Sequence, residues 1–86
     1  MIIRYAPAFR RMYKKLLPEQ QELVDQAIVR FTVDPFDRRL HNHKLVGSKK
    51  DVRSFSAAYD LRILYTEEKG HAVVLLLMVG DHKTVY

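Results

Sequence analysis

The chain has 86 residues, 48% of them hydrophobic, no cysteine and a net charge of +5. That length supports one modest core and no second domain, the hydrophobic fraction excludes a disordered chain, and the lack of cysteine excludes a disulfide framework or a thiolate metal site. The charge is lopsided: residues 1–50 hold eleven Lys and Arg against five acids, whereas residues 51–86 hold four against five.

Two stretches carry the excess, Arg4 to Lys15 and Arg38 to Lys50, each with five basic residues and no acid. Such patches attract nucleic acid or an acidic protein; the simplest alternative is a solvated basic face. The apolar run AVVLLLMV, eight residues long, is too short to span a bilayer. With no basic start and long apolar stretch after Met1, the expectation is an unexported, cytoplasmic domain with no membrane partner.

In chain order, Ile2 to Tyr5 predicts a short strand, and Pro7 suits the first turn of a helix that follows. Phe9, Met12, Tyr13, Leu16 and Leu17 recur on one helical face, with Arg10, Arg11, Lys14 and Lys15 on the other. Pro18 ends this helix and opens a second, whose first turn carries Glu19 and Glu22 at the positive end of the dipole. Its apolar face is Leu23, Val24, Ala27, Ile28 and Phe31, and Asp34-Pro35 closes it.

A polar loop, FDRRLHNHKLVGSKKD, leads to two strands, VRSFSAAY and LRILY, around Tyr59-Asp60. Glu67 to Gly70 predicts a turn, with Gly70 free to take the left-handed conformation. Val73 to Val79 is apolar on both faces and so belongs inside the sheet. The predicted class is α+β over a single domain, residues 1–86: a strand, a two-helix hairpin and a three-stranded meander, giving a mainly antiparallel four-stranded sheet (β-α-α-β-β-β).

Chemistry falls on a few side chains. None of His41, His43, His71 and His82 has the spacing of a zinc site, so no metal is expected; His71, next to a turn glycine, reads as a surface residue. His82 follows Gly80 at the end of the apolar strand, where a rigid element can hold it; its plain alternative is a histidine on an exposed tail. With an even-residue loop at Tyr59-Asp60, Arg53 and Arg62 share one face of the sheet, opposite Ser54, Ser56, Ala58, Leu61, Ile63 and Tyr65. Gathered on one surface, His43, Arg53, Arg62, His82 and Tyr86 would suit RNA cleavage by the strand's own 2′-hydroxyl. A base takes the 2′ proton, cations hold the phosphate, and an acid protonates the leaving oxygen, with no cofactor.

The segments FRRMYKKLLPE, HKLVG, YDLRILY and LMVGDHKTVY, in this order, resemble the RelE/ParE toxin superfamily of toxin–antitoxin systems, most closely its RelE and YafQ branch of ribosome-dependent mRNA endonucleases. HKLVG is similar to the YafQ pattern and implies a catalytic His43. GDHKTVY implies active-site roles for His82 and Tyr86, Asp60 matches an acidic site residue, and Arg62 matches an arginine on the scissile phosphate. The resemblance implies His43 as general base and His82 as general acid, roles the two could exchange. Ser56 and Leu61 depart from the pattern, standing where YafQ has a histidine and a tryptophan.

The resemblance further implies a RelE-like fold, metal-independent cleavage of mRNA in the ribosomal A site, and a cognate acidic antitoxin; the free toxin would be a monomer. Lys14, Lys15, Lys44, Lys49, Lys50, Lys83 and Arg53 are the candidates for contacting ribosomal RNA, mRNA or antitoxin. The superfamily also holds ParE-like inhibitors of DNA gyrase, and a member that only binds antitoxin or nucleic acid is a further alternative.

Overall fold

The computed structural model describes residues 1–47 and 51–86. Strand β1 (Ile2–Tyr5) leads into helices α1 (Pro7–Lys14) and α2 (Pro18–Val33), then a 3-10 turn (Arg38–Leu40) and strand β2 (His43–Lys44). Strands β3 (Arg53–Ala58), β4 (Leu61–Glu68) and β5 (Val73–Gly80) follow, then a short helix, α3 (His82–Val85). The sheet order is β1-β5-β4-β3-β2, with β1 parallel to β5 and the other pairs antiparallel. The class is the one expected and the predicted elements occur in their expected order, with two additions: α3, and a fifth strand in a sheet expected to have four. The extra one, β2, pairs His43 with Ser54 and Lys44 with Arg53 at an exposed edge. With neither side chain buried, it carries no alternating apolar pattern to announce it.

Both prolines open their helices at the first turn. At the start of α2 the Gln20 side-chain Oε1 accepts from the Leu17 backbone N–H at 3.0 Å, one half of a capping box whose other half a leucine side chain cannot supply. The helices bury Phe9, Val24, Ala27 and Phe31 against Phe55, Ile63, Tyr65, Val74, Leu76 and Val79 of the sheet. Phe31 stacks on Phe55 with ring centroids 4.4 Å apart and meets the edge of Tyr65 at 4.9 Å. Such aromatic pairs add about 0.5–1.5 kcal/mol each beyond the area they bury.

Two irregularities decide which side chains reach which face. Between β4 and β5, Tyr65 pairs with Leu76 but Leu64 with Met78, so Leu77 is an extra residue that shifts the alternation and returns Val79 to the core face. Between β3 and β4 the register shifts after Ser56, so Ser56 pairs with Arg62 while Arg53 pairs with Tyr65. Arg53 and Arg62 therefore lie on opposite faces, correcting the expectation that they share one. The helix-packed face carries Phe55, Ile63 and Tyr65, and Ser54 and Ser56 go with Arg62 on the other. On that second face Ser54 and Leu64 are buried, next to the docked α3 with its buried Val85. No helix among the described residues is long and apolar enough to cross a membrane.

Candidate active site

Strand β5 ends at Gly80, where a Cβ would come within 3.2 Å of the Thr84 methyl, a tight contact that glycine avoids as the chain folds back into α3. Asp81 caps that helix, its carboxylate accepting from the Thr84 N–H at 2.7 Å. The hydrogen bonding from Thr84 holds the Asp81 carboxyl below the usual carboxylate range. From the β3–β4 turn, Asp60 Oδ1 accepts from the His82 backbone N–H at 3.0 Å. Tyr86 donates its hydroxyl proton to Ser54 Oγ at 2.7 Å and meets the His82 ring edge-on at 4.4 Å between centroids. The segment after β5 is thus docked rather than frayed, and His82 is held at both backbone and ring.

Arg62, between Ser56 of β3 and Gly80 of β5 in the pairing, donates from Nη1 to Ser56 Oγ at 2.8 Å. His43, on β2, places Nδ1 2.9 Å from the His41 carbonyl oxygen. A carbonyl can only accept, so Nδ1 carries the proton and Nε2 keeps its lone pair. His43, Arg62, His82 and Tyr86 line one cleft of about 650 Å³. Asp60 is not among the lining residues and acts on the cleft through the His82 backbone. Among the described residues no Asp or Glu lines this cleft, while three arginines do, a side-chain charge suited to a polyanion.

The loop that brings His41 and His43 to the cleft is fixed from within. His41 takes the left-handed conformation (φ 50°), and the Asn42 side chain enters the protein. Asn42 Nδ2 donates to the Pro35 carbonyl at 2.8 Å and to the Tyr65 hydroxyl oxygen at 2.6 Å, while Oδ1 accepts from Arg53 Nε at 3.0 Å. The Arg53 guanidinium also lies over the Phe36 ring, 5.4 Å from its centroid. Tyr65, its phenol pushed up by burial, is left to donate its proton to His71 Nε2 at 2.8 Å. His71 is consequently not the surface residue expected: its side chain is only 10% exposed, packed against Phe31, Phe36 and Tyr65.

None of the described lysines lines this cleft. Lys14 and Lys15 are exposed at the end of α1, Lys83 is exposed on α3, and Lys44 pairs with Asp51 at 2.6 Å. Lys49 and Lys50 lie outside the described residues. Among the described residues no group of three His, Cys, Asp or Glu could hold a metal ion. Sequence reasoning passed over Arg30, Arg39, Ser56 and Tyr59 as site residues and gave His41 no role, yet all five line the cleft. The two arginines sit in a helix and a polar loop where nothing in the residue pattern separates a cleft from open solvent.

The sequence matches no protein-family model and no curated protein. The fold, however, is that of the RelE/ParE toxins. YafQ from Escherichia coli superposes with a TM-score of 0.81 at 15% identity, over 98% of this chain and 96% of that one. A copper-bound mutant toxin from Helicobacter pylori gives 0.80 at 20% identity, over 100% and 99%. RelE in an archaeal RelE–RelB complex from Pyrococcus horikoshii gives 0.74 at 15% identity, over 93% and 92%.

Proposed function

We propose that this chain is the toxin of a type II toxin–antitoxin system, an endoribonuclease that cleaves mRNA in the ribosomal A site. The observation that carries the reading is the convergence of His43, Arg62, His82 and Tyr86 on one cleft that no Asp or Glu lines among the described residues. In this mechanism His43 Nε2 takes the proton of the 2′-hydroxyl, and O2′ attacks the adjacent phosphorus. Arg62 neutralises the charge that gathers on the phosphate oxygens. The P–O5′ bond breaks, and imidazolium His82 gives its proton to the leaving oxygen, producing a 2′,3′-cyclic phosphate and a 5′-hydroxyl. Asp60 and Tyr86 position His82, one through its backbone and one through its ring. Side chains fill every role, so cleavage should be unchanged by a chelator.

Relatives in fold include toxins described in complex with an antitoxin, RelE–RelB and DinJ–YafQ. That supports an acidic antitoxin partner here, drawn to the net charge of +5. The free toxin would act as a monomer on translating ribosomes and hence in the cytoplasm, with the exposed lysines available to ribosomal RNA.

The test is a purified translation system with message ends mapped by primer extension. Cuts by the wild type that disappear in His82→Ala and Arg62→Ala support the proposal. An intact message with gyrase inhibited would replace it by the ParE-like reading.

A further inference from the structure

The cleavage step makes no use of three residues that line the cleft, Arg30 near the end of α2, Arg39 in the 3-10 turn and Tyr59 in the β3–β4 turn. We propose that they form a second nucleotide subsite, in which Arg30 and Arg39 hold a phosphodiester next to the scissile one and Tyr59 stacks on a neighbouring base. The identity of the strand rests on the nuclease reading; the subsite itself rests on the following geometry.

Arg39 is fixed in advance. Asp37 accepts from its Nε at 3.1 Å and from its Nη2 at 2.7 Å, and also from its backbone N–H at 3.0 Å. These contacts keep the Asp37 carboxyl far below its ordinary range and orient the otherwise exposed guanidinium, with Nη1 still available to a ligand. Asp37 does not itself line the cleft, so its charge orients the arginine without closing the anion site. Arg30 is half-buried on the same wall as Arg39, since both also border the neighbouring depression that contains Asp37. Among the described residues its side chain makes no hydrogen bond or ion pair, so its donors are uncommitted.

Tyr59 is 96% exposed, an aromatic ring that folding leaves almost wholly in water at the cleft rim. Stacking a base on it removes apolar area from water without requiring any particular base. A cleft of about 650 Å³ has room for more than one phosphate group, lying within the roughly 300–1,000 Å³ range of whole-ligand sites. Arginine with an exposed tyrosine favours single-stranded RNA over an acidic peptide, which would use the cations and leave the ring idle.

The experiment is fluorescence anisotropy of the full chain with a labelled 2′-O-methyl tetranucleotide, which lacks the attacking hydroxyl, across a salt series. Arg30→Gln should weaken binding and flatten the slope of log K against log salt by about 0.7, the signature of one lost single-strand phosphate contact. Tyr59→Ala should weaken binding by roughly 5- to 150-fold, with Tyr59→Phe close to wild type. Wild-type affinity and slope in both Arg30→Gln and Tyr59→Ala would overturn the subsite. So would a poly-glutamate peptide that binds wild type more tightly than the oligonucleotide and loses affinity in Arg30→Gln alone. Tyr59 is exposed in a turn, so its variants keep the test open should an arginine variant fold poorly. Failure of the nuclease reading is separate: it appears as no His82-dependent cuts on the ribosome while Arg30- and Tyr59-dependent oligonucleotide binding persists.

Discussion

At His43 a single hydrogen bond decides the chemistry, because the His41 carbonyl fixes the proton on Nδ1 and leaves Nε2 basic. Replacing His43 by Gln should remove the proposed base while keeping a donor for that carbonyl. The expected result is a cleavage rate lower by roughly 100-fold or more, with unchanged thermal stability, measured by single-turnover cleavage and melting. Away from the site, Tyr13 donates its hydroxyl proton to Asp25 at 2.7 Å, and this bond, with burial, pushes the phenol up to about 12. A folded pKa above the unfolded value of 10.0 means the stabilisation is fully present below about pH 10 and is lost as pH rises through about 12. Denaturant titrations of wild type and Tyr13→Phe should therefore differ by a constant amount up to about pH 10 and converge above it; a gap unchanged to pH 12 would contradict this account. His82 and Arg62 could be singled out from the sequence because they sit at the ends of strongly apolar strands, and Tyr86 because it closes the GDHKTVY segment that carries the family resemblance. His71 could not, since a histidine after Gly70 reads as a turn residue until the contacts of Phe36 and Tyr65 are known.

At the scale of elements, the proposed catalytic edge depends on two connections that carry little apolar signal. One is the His41–His43 segment, whose inward anchor is Asn42. Asn42→Ala removes partners from Arg53 Nε, the Tyr65 hydroxyl and the Pro35 carbonyl at once. The expected loss is on the order of 2–3 kcal/mol by denaturant unfolding, together with slower cleavage as His43 loses its fixed position. The other is α3, held by Asp81 and Asp60. The depressed Asp81 pKa places its contribution above the ordinary carboxylate value, and that contribution is lost as pH falls through the lower folded value. Amide exchange at Thr84 should accordingly speed up on acidification in wild type but be fast at every pH in Asp81→Ala. The helices were legible from apolar faces with helical spacing, and β5 from an unbroken apolar run. Strand β2 was not, because both its residues are exposed, and the sidedness of Arg53 was not, because a register shift after Ser56 leaves no trace in residue types.

Across the whole molecule, one helix-packed core supports a rim of cations and imidazoles on the sheet's other side. Phe31 joins the two helices' packing to Phe55, Tyr65 and His71, so Phe31→Ala should cost about 3–5 kcal/mol and release the His41–His43 loop with it. The order of elements indicated an α+β class and the four motif segments a resemblance to RelE-like toxins, and the superposition on YafQ at a TM-score of 0.81 agrees with both. What order could not supply is the distance between His43 and His82, which depends on how β2 and α3 are each tied back to β3. The most direct measurement of the central claim is the chemistry of the RNA ends left on A-site message by wild type, His43→Ala, His82→Ala and Arg62→Ala. The account predicts 2′,3′-cyclic phosphate and 5′-hydroxyl ends from wild type and none from the three variants. Cuts that persist undiminished in the His43 and His82 variants, or 5′-phosphate ends from wild type, would contradict it.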